Sequence, residues 1–334
     1  MYAAFRSIGA YVPEKILSND DLAGMVDTSD EWILKRTGIK ERRIAAEDEF
    51  TSDMGVEAAE IAIARSGIDR EEIDMLICAT ISPDYFNMPS TAAVIGSKLG
   101  LKGVSAFDVS AACTGFVYIL NIAKAFIESG MKKNVLIIGS EKLSAITDYS
   151  DRTTCILFGD GAGAAIISAT ENREEAIVDV HTGADGAFAD LLMTPNGGSG
   201  SAHDDHERGK AGCYMKMRGN ETFKVAVRTL TSDVKAILLE NGMVSEQIDH
   251  FIPHQANYRI IKAVGDALKL KDSQIVLTVH KYGNTSGSSI PMAINDIYES
   301  GKLKKGDMML LDAFGGGLTW GSALVPFAGN SING

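Results

Sequence analysis

Gly67-Ile68-Asp69-Arg70-Glu71-Glu72-Ile73-Asp74-Met75-Leu76-Ile77 and Gly242-Met243-Val244-Ser245-Glu246-Gln247-Ile248-Asp249-His250-Phe251-Ile252 repeat one pattern. They agree at the opening Gly, at Glu, Ile and Asp, and at the closing Ile. Each follows an amphipathic helical stretch and runs into an apolar strand, Leu76 to Ala79 in one copy and Phe251 to Pro253 in the other. Glu128-Ser129-Gly130 with Lys132-Lys133 recurs as Glu299-Ser300-Gly301 with Lys304-Lys305, ahead of the apolar runs Val135 to Ile138 and Met308 to Leu311. Phe158-Gly159-Asp160-Gly161-Ala162-Gly163 has its counterpart in Phe314-Gly315-Gly316-Gly317. Three matches in the same order predict an α/β protein of two similar halves, residues 1–172 and 173–334, each built around a mixed sheet and packed face to face. The join is expected at Ala169 to Glu175, and Pro195 to Gly212, rich in Gly, Ser and His, reads as an exposed insertion.

The Glu-Ser-Gly match has an offset of 171 positions, which sets Cys113 against Asn284 and Thr114 against Thr285. Each half then offers a polar residue followed by Thr at a helix start, and a duplicated fold points the two at a shared centre.

The chain has 334 residues, 45% of them hydrophobic, enough for a sizeable core. Met1 to Ala10 lacks the apolar core of a signal peptide. Val109 to Ala123 is too short to span a membrane, and glycines and Pro326 break the tail after Asp312. The four cysteines are far apart with no CxxC pair, as expected of reduced thiols in a cytoplasmic protein. A net charge of −12 argues against nucleic-acid binding. Between Arg208 and Lys271, however, eleven Lys/Arg face six Asp/Glu, a local excess suited to an acidic partner.

Among the cysteines, Cys113 stands in Ser110-Ala111-Ala112-Cys113-Thr114-Gly115-Phe116, where a strand turns into an apolar helix between tiny neighbours. Unpaired N–H groups at a helix start favour thiolate, so Cys113 is the candidate nucleophile. Cys78 and Cys155 read as small core residues. Of six histidines, His254 in Pro253-His254-Gln255-Ala256-Asn257 occupies a strand–helix junction; His181, His250 and His280 read as structural or surface groups. His203 and His206 flank two aspartates but lack further metal ligands, and no metal is expected. Neither glycine run has a nucleotide-loop spacing; both suggest close backbone approach, with an N–H available to an oxyanion. Thr28-Ser29-Asp30-Glu31 reads as a capping box opening a helix that carries Trp32 and Arg36 on one face.

Together, Ala111 to Phe116, Pro253 to Asn257, His280 to Ser286 and Ala313 to Gly317 resemble the β-ketoacyl-acyl-carrier-protein synthase III family, initiating condensing enzymes of fatty-acid synthesis in the thiolase superfamily. The resemblance runs from Asp27 to Ala323 and implies a five-layered α-β-α-β-α fold with two mixed sheets and a homodimer. It implies Cys113, His254 and Asn284 as the catalytic triad, with an oxyanion held by the N–H groups of Cys113 and Gly316. Thr28, Trp32, Arg36, Arg152, Asn220, Phe223, Ala256 and Asn257 match coenzyme A contacts, and Met88 matches an acyl-pocket position. Lys224, Gln255, Ala256, Asn257, Tyr258 and Arg259 match carrier-protein docking positions. The implied substrates are a short acyl-coenzyme A and malonyl-acyl-carrier protein, with no cofactor. A related condensing enzyme with another acceptor or a longer primer is the alternative. The family's basic pair later on the docking helix is here Asp266-Ala267, with Lys262 and Lys269 nearby.

Overall fold

The computed structural model describes residues 1–199 and 213–332. One five-stranded sheet runs Tyr2–Tyr11, Gly161–Thr170, Asn134–Glu141, Met75–Ala79, Ser105–Val109 from edge to edge. Its pairings are antiparallel, antiparallel, parallel and parallel. The second sheet runs Asp179–Ala184, Thr319–Pro326, Met308–Gly315, His250–Pro253, antiparallel twice and then parallel. A parallel bridge from Phe251 to Ile275 stands where the first sheet has its fifth strand. The strands of one sheet all precede residue 171 and those of the other all follow 178, in the same order and sense.

The repeated motifs share backbone roles as well as letters. Gly67 and Gly242 take φ of 69° and 62°, and Gly130 and Gly301 take 76° and 69°, the left-handed region that glycine enters without strain. Helix Gly115–Glu128 and helix Ser289–Glu299 lie between the two sheets in one apolar core that includes Phe116, Leu120, Ile290 and Ile294. A helix covered on both sides must be apolar nearly all round, as these are. Helix Gly219–Glu240 lies outside the second sheet and buries only a stripe, Ala226, Leu230, Val234 and Ile237. Helices Thr51–Ser66 and Thr91–Lys98 cover the outer face of the first sheet. This is the five-layered arrangement.

Two expectations change. The central helices end at positions 171 apart but begin 174 apart, because the second is 11 residues long and the first 14. Each is entered through a 3-10 turn, Ala112–Thr114 or Ser286–Ser288, whose first residue has positive φ (47° and 51°). By helix start, the counterpart of Cys113 is therefore Gly287, and Asn284 lies just upstream of its turn. Helix Asp30–Thr37 is capped by Ser29, whose hydroxyl accepts from Trp32 N, and not by Thr28, whose Oγ1 is buried without a partner. His203 and His206 lie outside the described residues.

Candidate active site

Cys113 is 5% exposed in the turn between strand Ser105–Val109 and helix Gly115–Glu128. The end of strand Met308–Gly315 lies against it: a Cβ on Gly315 would stand 2.7 Å from Cys113 N. The expected close backbone approach of the second glycine run is thus at the Cys113 amide. Burial pushes the Cys113 thiol up to about 12; the Ser286 hydroxyl acts the other way and the Glu141 carboxyl adds to the rise. The helix-start argument expected the opposite sign. It loses because the macrodipole supplies only about half a charge, while an enclosed thiolate forfeits its hydration.

His254 follows strand His250–Pro253, whose parallel pairing with Met308–Gly315 continues as His254 N donating to Asp312 O at 2.7 Å. Its Nδ1 lies 2.6 Å from Ser289 Oγ, and that hydroxyl accepts from Gln255 N at 3.3 Å. A Ser289 hydroxyl that donates to Nδ1 while accepting from the amide puts the ring proton on Nε2. Burial lowers the imidazole to about 3, so at neutral pH it is uncharged. Asn284 is 7% exposed and its Oδ1 accepts from Ser286 N at 2.9 Å, so its Nδ2 is the atom left to donate elsewhere.

All three side chains line one cavity of about 430 Å3. Its buried end holds Cys113, His254, Asn284, Phe314 and Gly315; its exposed rim carries Arg36, Arg152, Asn220 and Arg259. Between them the wall is mostly apolar, with Ile156, Leu157, Leu192 and Leu230. At the rim, the Arg36 and Arg152 guanidiniums lie 4.4 and 5.5 Å from the Trp32 ring centre, and Arg259 lies 5.2 Å from that of Phe223.

This geometry has close parallels. Models of 3-oxoacyl-[acyl-carrier-protein] synthase III match residues 107–186, and those of its C-terminal part match 238–327. The β-ketoacyl-[acyl-carrier-protein] synthase III of Sulfurimonas denitrificans is 76% identical over 98% of both chains, and that of a Sulfurovum species 68% identical over 99% of this chain and 98% of the relative. The crystal structure of the Aquifex aeolicus synthase III superimposes with a TM-score of 0.90 at 44% identity, covering 97% of this chain and 99% of that one. The chain belongs to the β-ketoacyl-acyl-carrier-protein synthase III family.

Of the positions that the family resemblance marks for coenzyme A, Trp32, Arg36, Arg152, Asn220, Phe223, Ala256 and Asn257 line the cavity, whereas Thr28 does not. Asn257 also caps helix Tyr258–Ala267, its Oδ1 accepting from Arg259 N at 2.8 Å. Among docking positions, Lys224, Tyr258 and Arg259 are exposed. Gln255 is not: it is 1% exposed, its Nε2 donates to Pro253 O and Val276 O, and its Oε1 accepts from Thr278 N and Val279 N. An amide saturated inside the fold has nothing to offer a partner. Met88 lies outside the cavity and is 80% exposed, so within one chain it forms no wall of an acyl pocket. Phe314 and Gly315 line the cavity and Gly316 follows them. Part of the local basic excess is paired, Lys216 with Asp148, Arg218 with Asp190 and Lys262 with Asp266.

Ser286, Ser289 and Glu141 went unmarked in the sequence. Ser289 carries no local signal. Glu141 carried a faint one, a carboxylate ending the strand that contains Val135 to Ile138.

Proposed function

We propose that this protein starts fatty-acid chains by joining a short acyl group from acyl-coenzyme A to the two carbons left when malonyl-acyl-carrier protein loses CO2. The observation that carries this is one buried cavity end holding a thiol, an uncharged imidazole with Nε2 left for a ligand, and a carboxamide with Nδ2 left for one.

In the first half-reaction the Cys113 thiolate attacks the thioester carbonyl, coenzyme A leaves with the electron pair, and an acyl-cysteine remains. The tetrahedral oxyanion takes hydrogen bonds from the Cys113 and Gly316 amides. In the second, the malonyl C–C bond breaks, CO2 leaves, and its electrons form an enolate whose oxygen accepts from His254 Nε2 and Asn284 Nδ2. The enolate carbon then attacks the acyl-cysteine and expels the thiolate. An uncharged pair suits this step, because a cation there would hold the malonyl carboxylate in place. No cofactor enters any step.

Trp32, Arg36 and Arg152 fit an adenine ring and phosphates, while the apolar stretch with Asn220, Phe223, Ala256 and Asn257 fits the pantetheine arm. The exposed Lys224, Tyr258 and Arg259 at the rim fit an acidic carrier protein. Tyr85, Phe86 and Met88 are 54%, 66% and 80% exposed on one loop, an apolar surface that suits a second copy of the chain. If Met88 serves an acyl pocket, it does so across that subunit boundary.

The test is intact mass spectrometry after exposure to a panel of acyl-coenzyme A thioesters and then malonyl-acyl-carrier protein. An acyl adduct on Cys113, discharged by the second addition, is expected. His254→Ala and Asn284→Ala should impair discharge more than loading; the reverse order would overturn the assignment of roles.

A further inference from the structure

The mechanism above needs a thiolate but does not say what takes the thiol proton. His254 is unsuited: its Nδ1 is engaged by Ser289, and burial suppresses its basicity.

Glu141, the last residue of strand Asn134–Glu141, is 0% exposed and does not line the cavity. Its Oε2 accepts from Thr80 Oγ1 at 3.1 Å, Ile81 N at 3.1 Å and Ser82 Oγ at 2.6 Å. Its Oε1 is buried without a hydrogen-bond partner and faces the 3-10 turn Ser286–Ser288, 3.7 Å from where a Gly287 Cβ would stand. That same point is 3.5 Å from Ala112 O, the carbonyl preceding Cys113. Ser286, in the strained left-handed region at φ 51°, is 1% exposed, and its Oγ closes no bond of standard geometry. Its hydroxyl acts on both neighbours, lowering the Cys113 thiol and the Glu141 carboxyl alike. Two enclosed polar atoms without partners thus lie at the turn packed against that of Cys113.

We infer that Glu141 accepts the Cys113 proton through the Ser286 hydroxyl during acyl loading. The inference rests on Cys113 being the acylated nucleophile. Cys113 S–H gives its proton to Ser286 Oγ as Ser286 O–H gives its own to Glu141 Oε1; thiol and carboxylate become thiolate and carboxylic acid, and the net charge is unchanged. Coenzyme A departs as a thiolate and takes its proton from water at the cavity mouth; the proton held on Glu141 returns by the same hydroxyl to the Cys113 thiolate that the second half-reaction expels. Burial raises the Glu141 carboxyl to about 7, which suits a proton acceptor at neutral pH. The Glu141 charge raises both Cys113 and Cys78, while Lys142 extends to the carbonyls of Ala46, Glu47 and Glu49.

The test is the pH profile of Cys113 acylation by acetyl-coenzyme A, followed by rapid quench and intact mass spectrometry, in wild type, Glu141→Gln, Glu141→Asp and Ser286→Ala. Wild type should show a rise in rate centred near pH 7. Glu141→Gln and Ser286→Ala should lose that rise and load about 100-fold more slowly at pH 8, the lower end of what a placed general base contributes. Glu141→Asp should recover part of it. A wild-type-like profile in either Glu141→Gln or Ser286→Ala would overturn the inference, and Ser286→Ala leaves the carboxyl in place should Glu141→Gln fail to fold. No adduct in wild type would instead sink the acyl-cysteine itself.

Discussion

A single methyl group at Gly315 tests how the second half of the chain holds Cys113. The ideal Cβ of Gly315→Ala falls 2.7 Å from Cys113 N, 3.1 Å from Ala112 Cβ and 3.2 Å from Thr319 Oγ1. Non-bonded heavy atoms settle at about 3.5 Å, so the Cys113 amide must retreat by roughly 0.8 Å or the strand must recoil as far. The sulfur rides on the same residue. A misplacement of about 1 Å at a reacting centre costs about 100-fold, and loss of one oxyanion donor about 2.7–4 kcal/mol. Acyl-adduct formation from acetyl-coenzyme A should therefore slow by about 50-fold. Overpacking should also lower stability by about 1–3 kcal/mol, which leaves the protein folded at 25 °C. Rapid-quench mass spectrometry reads the first effect and a urea titration the second. If the variant is acylated within threefold of wild type, the contact between strand end and nucleophile amide has no role in loading.

Three further outcomes follow from named contacts. Gln255→Ala strands the Thr278 and Val279 amides inside the fold and should destabilise by about 2–4 kcal/mol in urea denaturation; an effect under 1 kcal/mol would contradict the clamp. Lys224→Glu, on the exposed face, should instead leave stability and acyl-coenzyme A loading near wild type while lowering kcat/KM for malonyl-acyl-carrier protein several-fold, with a weaker salt dependence; unchanged kcat/KM would remove Lys224 from docking. Finally, Glu141 binds its proton more tightly in the folded protein, about 7 against 4.5 unfolded, so the folded state holds more protons across that window and stability falls as pH rises through it. Relative to Glu141→Gln, wild type should lose about 3 kcal/mol between pH 4.5 and 7, and parallel stability curves for the two proteins would contradict this. The comparison cancels His254, whose lowered value acts with the opposite sign below pH 6.5.

The duplication was legible in the chain because left-handed helix exits favour glycine, and Gly67, Gly130, Gly242 and Gly301 mark them in both halves, although Lys269 takes one at φ 58°. Strand and helix faces were legible for a similar reason, since burial on both sides imposes unbroken apolar runs. Cys113 and His254 stood out at strand–helix junctions, and Asn284 followed from the repeat. Its register did not: helix length is set by packing between two sheets, which no local pattern records, and the shorter second helix moved Asn284 ahead of its turn.

By itself, then, the sequence determined the two-fold α/β plan and pointed to Cys113, His254 and Asn284, which the fold brings to one cavity. Only the tertiary structure decided their states. The Cys113 thiol is raised and the imidazole is neutral because both are enclosed by residues from opposite halves of the chain. Gln255 faces inward and Met88 outward because of what packs on each. Desolvation and the hydrogen bonds of Ser289 and Glu141 arise between residues 35 and about 60 positions apart, a separation at which sequence carries composition but no geometry.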